Sequence, residues 1–85
     1  MSKKEKLKAR LRNQPVDFSY RELRTLLIGL GYEEDQKGKT AGSRVIFYKP
    51  TTQHTLFLHK PHPTRIMKRY QIQYVKEELI KQGLL

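Results

Sequence analysis

The chain has 85 residues and a formal charge of +10, from 18 Lys and Arg against 8 Asp and Glu. That length holds one small domain and excludes a multidomain enzyme or a Rossmann-type cofactor fold. The chain has no Cys, so disulfides and thiolate metal sites are excluded as well.

Residues 1–14, MSKKEKLKARLRNQ, carry +5 of the +10. They read as a basic N-terminal tail, either flexible or a short helix through Leu7 and Leu11, marginal by itself at this length. Pro15 stops it, and residues 15–85 form the single domain. Ser19 and Glu22 have capping-box spacing, and Phe18 and Leu23 occupy the two positions of a hydrophobic staple. Leu23, Leu26, Leu27 and Leu30 give one buried helix face. Gly31 sits where a left-handed C′ residue is wanted, so a helix is predicted over Tyr20–Leu30. Tyr32–Gln36 reads as a short polar strand at a sheet edge, and Lys37–Ser43 as a turn. Arg44–Lys49 (RVIFYK) is rich in β-branched and aromatic residues and is predicted as a strand. Pro50–Gln53 turns the chain into a second such strand, His54–His59 (HTLFLH). Its alternation sets Leu56 and Leu58 on one face, with Phe57 and His59 on the other. Lys60–Thr64 (KPHPT) is held extended by its prolines. Helical spacing returns over Lys68–Gln82 with Ile72, Val75 and Leu79 buried, and Gly83 ends it.

The order is α-β-β-β-α, an α+β fold. Short connections imply a three-stranded antiparallel sheet, with both helices packed on one face. Double-stranded RNA-binding domains share this order, an analogy at fold level only. No apolar run follows the basic start, so no secretory signal is expected. None approaches the roughly 20 residues of a membrane span. A cytoplasmic protein is expected, with a polyanion, most often nucleic acid, as partner.

The body's charge is uneven. Between Asp35 and Glu77 there is no acid, yet this stretch holds nine Lys and Arg and all three His: His54, His59 and His62. Like charges without local counter-ions favour a bound anion; the plainer reading is a solvated face paired from elsewhere in the fold. Gly38-Lys39-Thr40 lacks the upstream Gly and the following helix of a phosphate-binding P-loop, and reads as a hairpin loop. His59-Lys60-Pro61-His62-Pro63 is the sharpest feature. Two His without a nearby carboxylate or thiolate make a poor metal site, so no metal or other cofactor is expected. They suit acid–base work near neutral pH. RNA cleavage without metal needs a base for the 2′-OH, an acid for the leaving oxygen and a cation for the phosphorane charge. The plainer reading is that the imidazoles only hydrogen-bond phosphate or backbone. Ser43 and Arg44 follow Gly42, where a backbone can approach a phosphate and a guanidinium can fork it; a turn before a solvated strand start is the alternative. Tyr70 and Tyr74, four apart, stack on bases or, more simply, pack on the sheet.

These pieces resemble the HicA toxin family, small basic RNases of bacterial toxin–antitoxin pairs. The resemblance rests on DFSYRELRTLLIGLGY, GSRVIFYKP, LHKPHP, the KRYQI helix start and the closing IKQGLL, in that order. It implies the same α-β-β-β-α fold, mRNA cleavage, and neutralisation by a HicB-like antitoxin protein that masks the basic face. The family's usual catalytic His follows a Gly-Ser pair, and here that place holds Arg44, which stays protonated and is no general base. The Pro-His-Pro segment matches and points to His62, and His59 is the replacement candidate on its own chemistry. Thr64 stands where Gly is common in the family. The expected catalytic pair is therefore His59 and His62, with Lys37, Lys39, Ser43, Arg44, Lys60, Lys68 and Arg69 holding RNA. Two alternatives stay open: a non-catalytic RNA-binding domain of the same fold, which Arg44 favours, and a basic structural or ribosome-associated protein.

Overall fold

The computed structural model describes residues 2–35, 44–61 and 65–85. They form α1 (Lys3–Arg12), α2 (Tyr20–Gly29), β1 (Glu33–Asp35), β2 (Arg44–Lys49), β3 (His54–His59) and α3 (Arg69–Lys81). The expected α-β-β-β-α order is present, preceded by one more helix.

Local chemistry accounts for the helix ends. At the start of α2 the Ser19 hydroxyl accepts from the Glu22 N–H at 3.1 Å, and the Glu22 carboxylate accepts from the Ser19 N–H at 3.0 Å. At its end Gly31 takes a φ of 101°. The Tyr32 and Gly31 amides then donate to the Leu27 and Ile28 carbonyls, at 2.9 and 3.1 Å. This is a Schellman stop, which a side chain beyond glycine would strain. α3 ends in the same way at Gly83, with φ 73° and Leu84 N–H donating to the Leu79 carbonyl at 2.9 Å.

The sheet runs β1-β2-β3, antiparallel throughout, so β1 is an edge as expected. Strand alternation turns Val45, Phe47, Leu56 and Leu58 inward against Leu23, Leu26 and Leu27 of α2 and Ile72, Val75 and Leu79 of α3. All ten are essentially inaccessible, and each such side chain contributes about 1.5–3 kcal/mol by leaving water. The segments leading into α2 and α3 are also paired. Tyr20 N–H donates to the Arg65 carbonyl at 2.9 Å and Met67 N–H to the Phe18 carbonyl at 2.8 Å, so the two helix starts lie side by side.

The basic N-terminal segment is not an appended tail. Ser2 caps α1, its hydroxyl accepting from the Glu5 N–H at 3.2 Å. Leu7 and Leu11 enter the same core as α2 and α3. The Arg10 guanidinium reaches Asp17 at 3.3 Å and Glu22 at 3.2 Å, and lies 5.5 Å over the Phe18 ring. Lys76 Nζ donates to the Arg12 carbonyl at 2.8 Å. A ten-residue helix that is marginal alone is held by burying two leucines. No helix among the described residues is long and apolar enough to cross a membrane.

Candidate functional site

Of the residues picked out in the sequence, Arg44 and His59 lie together at one end of the sheet, where β3 ends and β2 begins, beside the first turn of α3. Arg44 and His59 are register partners. Their neighbours Val45 and Leu58 point into the core, so the pleat sends Arg44 and His59 to the outer face, where both are exposed. Directly opposed residues have Cβ atoms about 4.5–5.5 Å apart, so the Arg44 and His59 side chains stand side by side on that face.

The free edge of β3 is closed by α3 through side chains. Gln71 is only 4% exposed. Its Oε1 accepts from the His59 N–H at 2.8 Å and its Nε2 donates to the His59 carbonyl at 3.2 Å. Tyr74 Oη accepts from the Phe57 N–H at 3.2 Å. One amide side chain thus does what a neighbouring strand would do, which satisfies the edge and fixes the His59 backbone. Gln71→Leu is expected to cost about 1–3 kcal/mol, at about 0.5–1.5 kcal/mol for each of the two hydrogen bonds lost. Denaturant unfolding checks this, and an unchanged midpoint would contradict it.

α3 begins at Lys68 without a side-chain cap and with no acid in its first turn. Its partial positive charge therefore adds to Lys68 and Arg69. Among the described residues no ion pair involves Arg44, Lys60, Lys68 or Arg69. Lys60 is partly occupied, its Nζ 5.5 Å over the Tyr20 ring. Beside His59 lies a hollow of about 390 Å³ lined by Phe57, His59, Tyr70, Gln71 and Tyr74. The two tyrosines, equivalent by spacing, differ in fate. Tyr74 packs against the core, whereas Tyr70 is 62% exposed. His62, Lys37, Lys39 and Ser43 lie outside the described residues.

The third histidine does not belong here. His54 opens β3, at the far end from His59. Its Nδ1 is 2.6 Å from Tyr32 Oη and its Nε2 is 3.0 Å from Glu78 Oε1. Burial, and next the nearby Glu78 charge, push the Tyr32 hydroxyl up to about 12, so it stays a neutral phenol. The hydrogen bond from His54, and then that from Lys81, hold the Glu78 carboxyl below the usual carboxylate range. A lowered carboxyl stabilises the fold above its unfolded pKa, and that contribution is lost as pH falls through the folded value. Acidification below the ordinary value of 4.5 should therefore lower the unfolding midpoint less steeply in Glu78→Gln than in the parent. Parallel profiles of midpoint against pH would contradict this.

Fold and site together define a small basic α+β domain with a histidine, cations and aromatic rings gathered at one end of an open sheet. The chain matches the family model for the HicA toxin of bacterial toxin-antitoxin over residues 20–84, and it belongs to that family. α1 lies outside the matched span. The comparisons with curated proteins and with solved structures returned no match.

Proposed function

We propose that this HicA-family protein is the toxin of a toxin–antitoxin pair and cleaves mRNA without a metal. The observation that carries the reading is the Arg44–His59 pair, exposed beside the acid-free start of α3. The imidazole of His59 is suited to general acid–base work, and its backbone is anchored by Gln71. The planar guanidinium of Arg44 serves as the fork for the phosphate and for the charge that builds on the phosphorane. His62, three residues along the chain, supplies the second imidazole, so that one group takes the 2′-OH proton while the other protonates the leaving 5′ oxygen. Lys68 and Arg69 hold the neighbouring phosphates, with Lys37, Lys39, Ser43 and Lys60 as further RNA contacts. The outward cations of α1 add a sequence-independent attraction.

A cytoplasmic HicB-like antitoxin covers this cationic end in the neutralised pair, since masking the phosphate-binding groups blocks cleavage. Induced expression of the toxin should arrest growth, and co-expression of an acidic protein encoded beside it should relieve the arrest. Growth unaffected by the toxin alone would contradict the reading. The non-catalytic alternative retains one specific support, Arg44 in the place of the family's usual His. It predicts salt-sensitive RNA binding with the RNA left intact.

A further inference from the structure

We infer that the hollow beside His59 is a nucleobase subsite, in which an unpaired base of the RNA stacks on Tyr70 and Phe57; this rests on the proposal that the site takes RNA. Phe57 is 61% and Tyr70 62% exposed, and both line the same hollow as His59, Gln71 and Tyr74. Neither ring belongs to the buried core, and both present their surface to the same hollow. Phe57 faces outward because its strand neighbours Leu56 and Leu58 face inward. The two backbone segments that carry the rings are tied together. Tyr74, one turn beyond Tyr70 on α3, accepts a hydrogen bond from the Phe57 backbone, and Gln71 clasps His59. The platform is thus set before any ligand arrives.

Charge selects the occupant. Arg44 stands opposite His59 in the sheet, and Lys68 and Arg69 come immediately before Tyr70 in the chain. None of these three has an ion-pair partner among the described residues. Aromatic faces bordered by unpaired cations suit a group that is flat and apolar on one side and anionic a few ångströms away, which describes a nucleotide. A base in a duplex is stacked on its neighbours and offers no face, so the subsite selects single-stranded RNA. It also holds one nucleotide beside His59, which sets where the scissile phosphate lies.

Binding of short fluorescent oligonucleotides tests this without cleavage, using 2′-O-methyl RNA that lacks the nucleophilic hydroxyl. Three probes of equal length are compared: an unstructured strand, the same strand with its complement, and a strand with several abasic positions. Tyr70→Leu and Phe57→Leu keep apolar bulk, and Tyr74 and Gln71 are untouched. Each should bind the unstructured strand roughly 5- to 150-fold more weakly than the parent. The slope of affinity against salt should stay the same, because no charge is removed. Neither variant should differ from the parent on the abasic strand. Equal affinity of parent and variants for the unstructured strand would overturn the subsite and leave the rings to a protein partner. A weaker hold by the variants on every probe, with an altered salt slope, would overturn it too, as general damage to the surface. Cleavage of ordinary RNA is read separately. A parent that stacks bases but leaves RNA intact would retain the subsite while removing the nuclease proposal. A parent that cleaves with Tyr70 irrelevant to binding would do the reverse.

Discussion

Replacing His59 and His62 together with alanine is expected to lower RNA cleavage by about 10²- to 10⁴-fold, the usual worth of positioned acid–base groups. It should also abolish growth arrest. The variant should fold, because what ties His59 to Gln71 is main chain, which alanine keeps, and the His59 ring is on the exposed outer face. RNA affinity should change little, since Arg44, Lys68 and Arg69 remain. A double variant that still cleaves would remove both residues from the mechanism. Arg44→Gln should behave differently. It is expected to slow cleavage and to weaken RNA binding together, because a phosphate fork acts in both the bound and the transition state. Cleavage restored by Arg44→Lys to the parent rate would show that point charge alone suffices there.

The second large effect concerns stability. Leu11→Ala is expected to cost about 2–5 kcal/mol, the range for deleting a buried leucine side chain, because Leu11 has no exposed surface. In a domain of this size each kcal/mol lowers the melting midpoint by roughly 4–8 °C. A midpoint within a degree or two of the parent would mean that α1 does not pack as the structure has it. Deleting residues 1–14 is therefore a poor test of what the basic segment does with RNA, since it uncovers the core between α2 and α3. Lys3, Lys6 and Arg12 are exposed and can be changed to Gln without touching Leu7 or Leu11. That triple variant should melt like the parent while the salt slope of RNA binding flattens by up to about 2, near 0.7 per lost phosphate contact on a single strand. An unchanged slope would place α1 away from the RNA.

The parts of the fold legible in the sequence were those fixed by neighbours along the chain. Ser19 with Glu22 and Gly31 with Tyr32 set both ends of α2 by local hydrogen bonds, and alternation in β2 and β3 named the inward residues. α1 was only half legible. Ser2 and Glu5 have the spacing of a capped helix start, but the burial of Leu7 and Leu11 depends on a surface formed by α2 and α3. The site divided in the same way. An acid-free window gathered three histidines by sequence, whereas a strand of six residues holds His54 and His59 about 17 Å apart, and Glu78 from α3 claims the first of them. Gln71 went unread because it is polar. Yet it stands four residues before Val75 and eight before Leu79, which already put it on the buried face of α3, where an amide must find partners. Tyr70 and Tyr74 share spacing but not surroundings, since β3 passes beneath one and leaves the other open.

We propose a metal-independent ribonuclease centred on the end of β3. Incubating unstructured RNA with the purified protein in excess EDTA tests it most directly, with the His59/His62 double alanine variant alongside. A time-dependent ladder with the parent and intact RNA with the variant is the predicted result. Intact RNA with the parent in EDTA, or a ladder that persists in the variant, would contradict it.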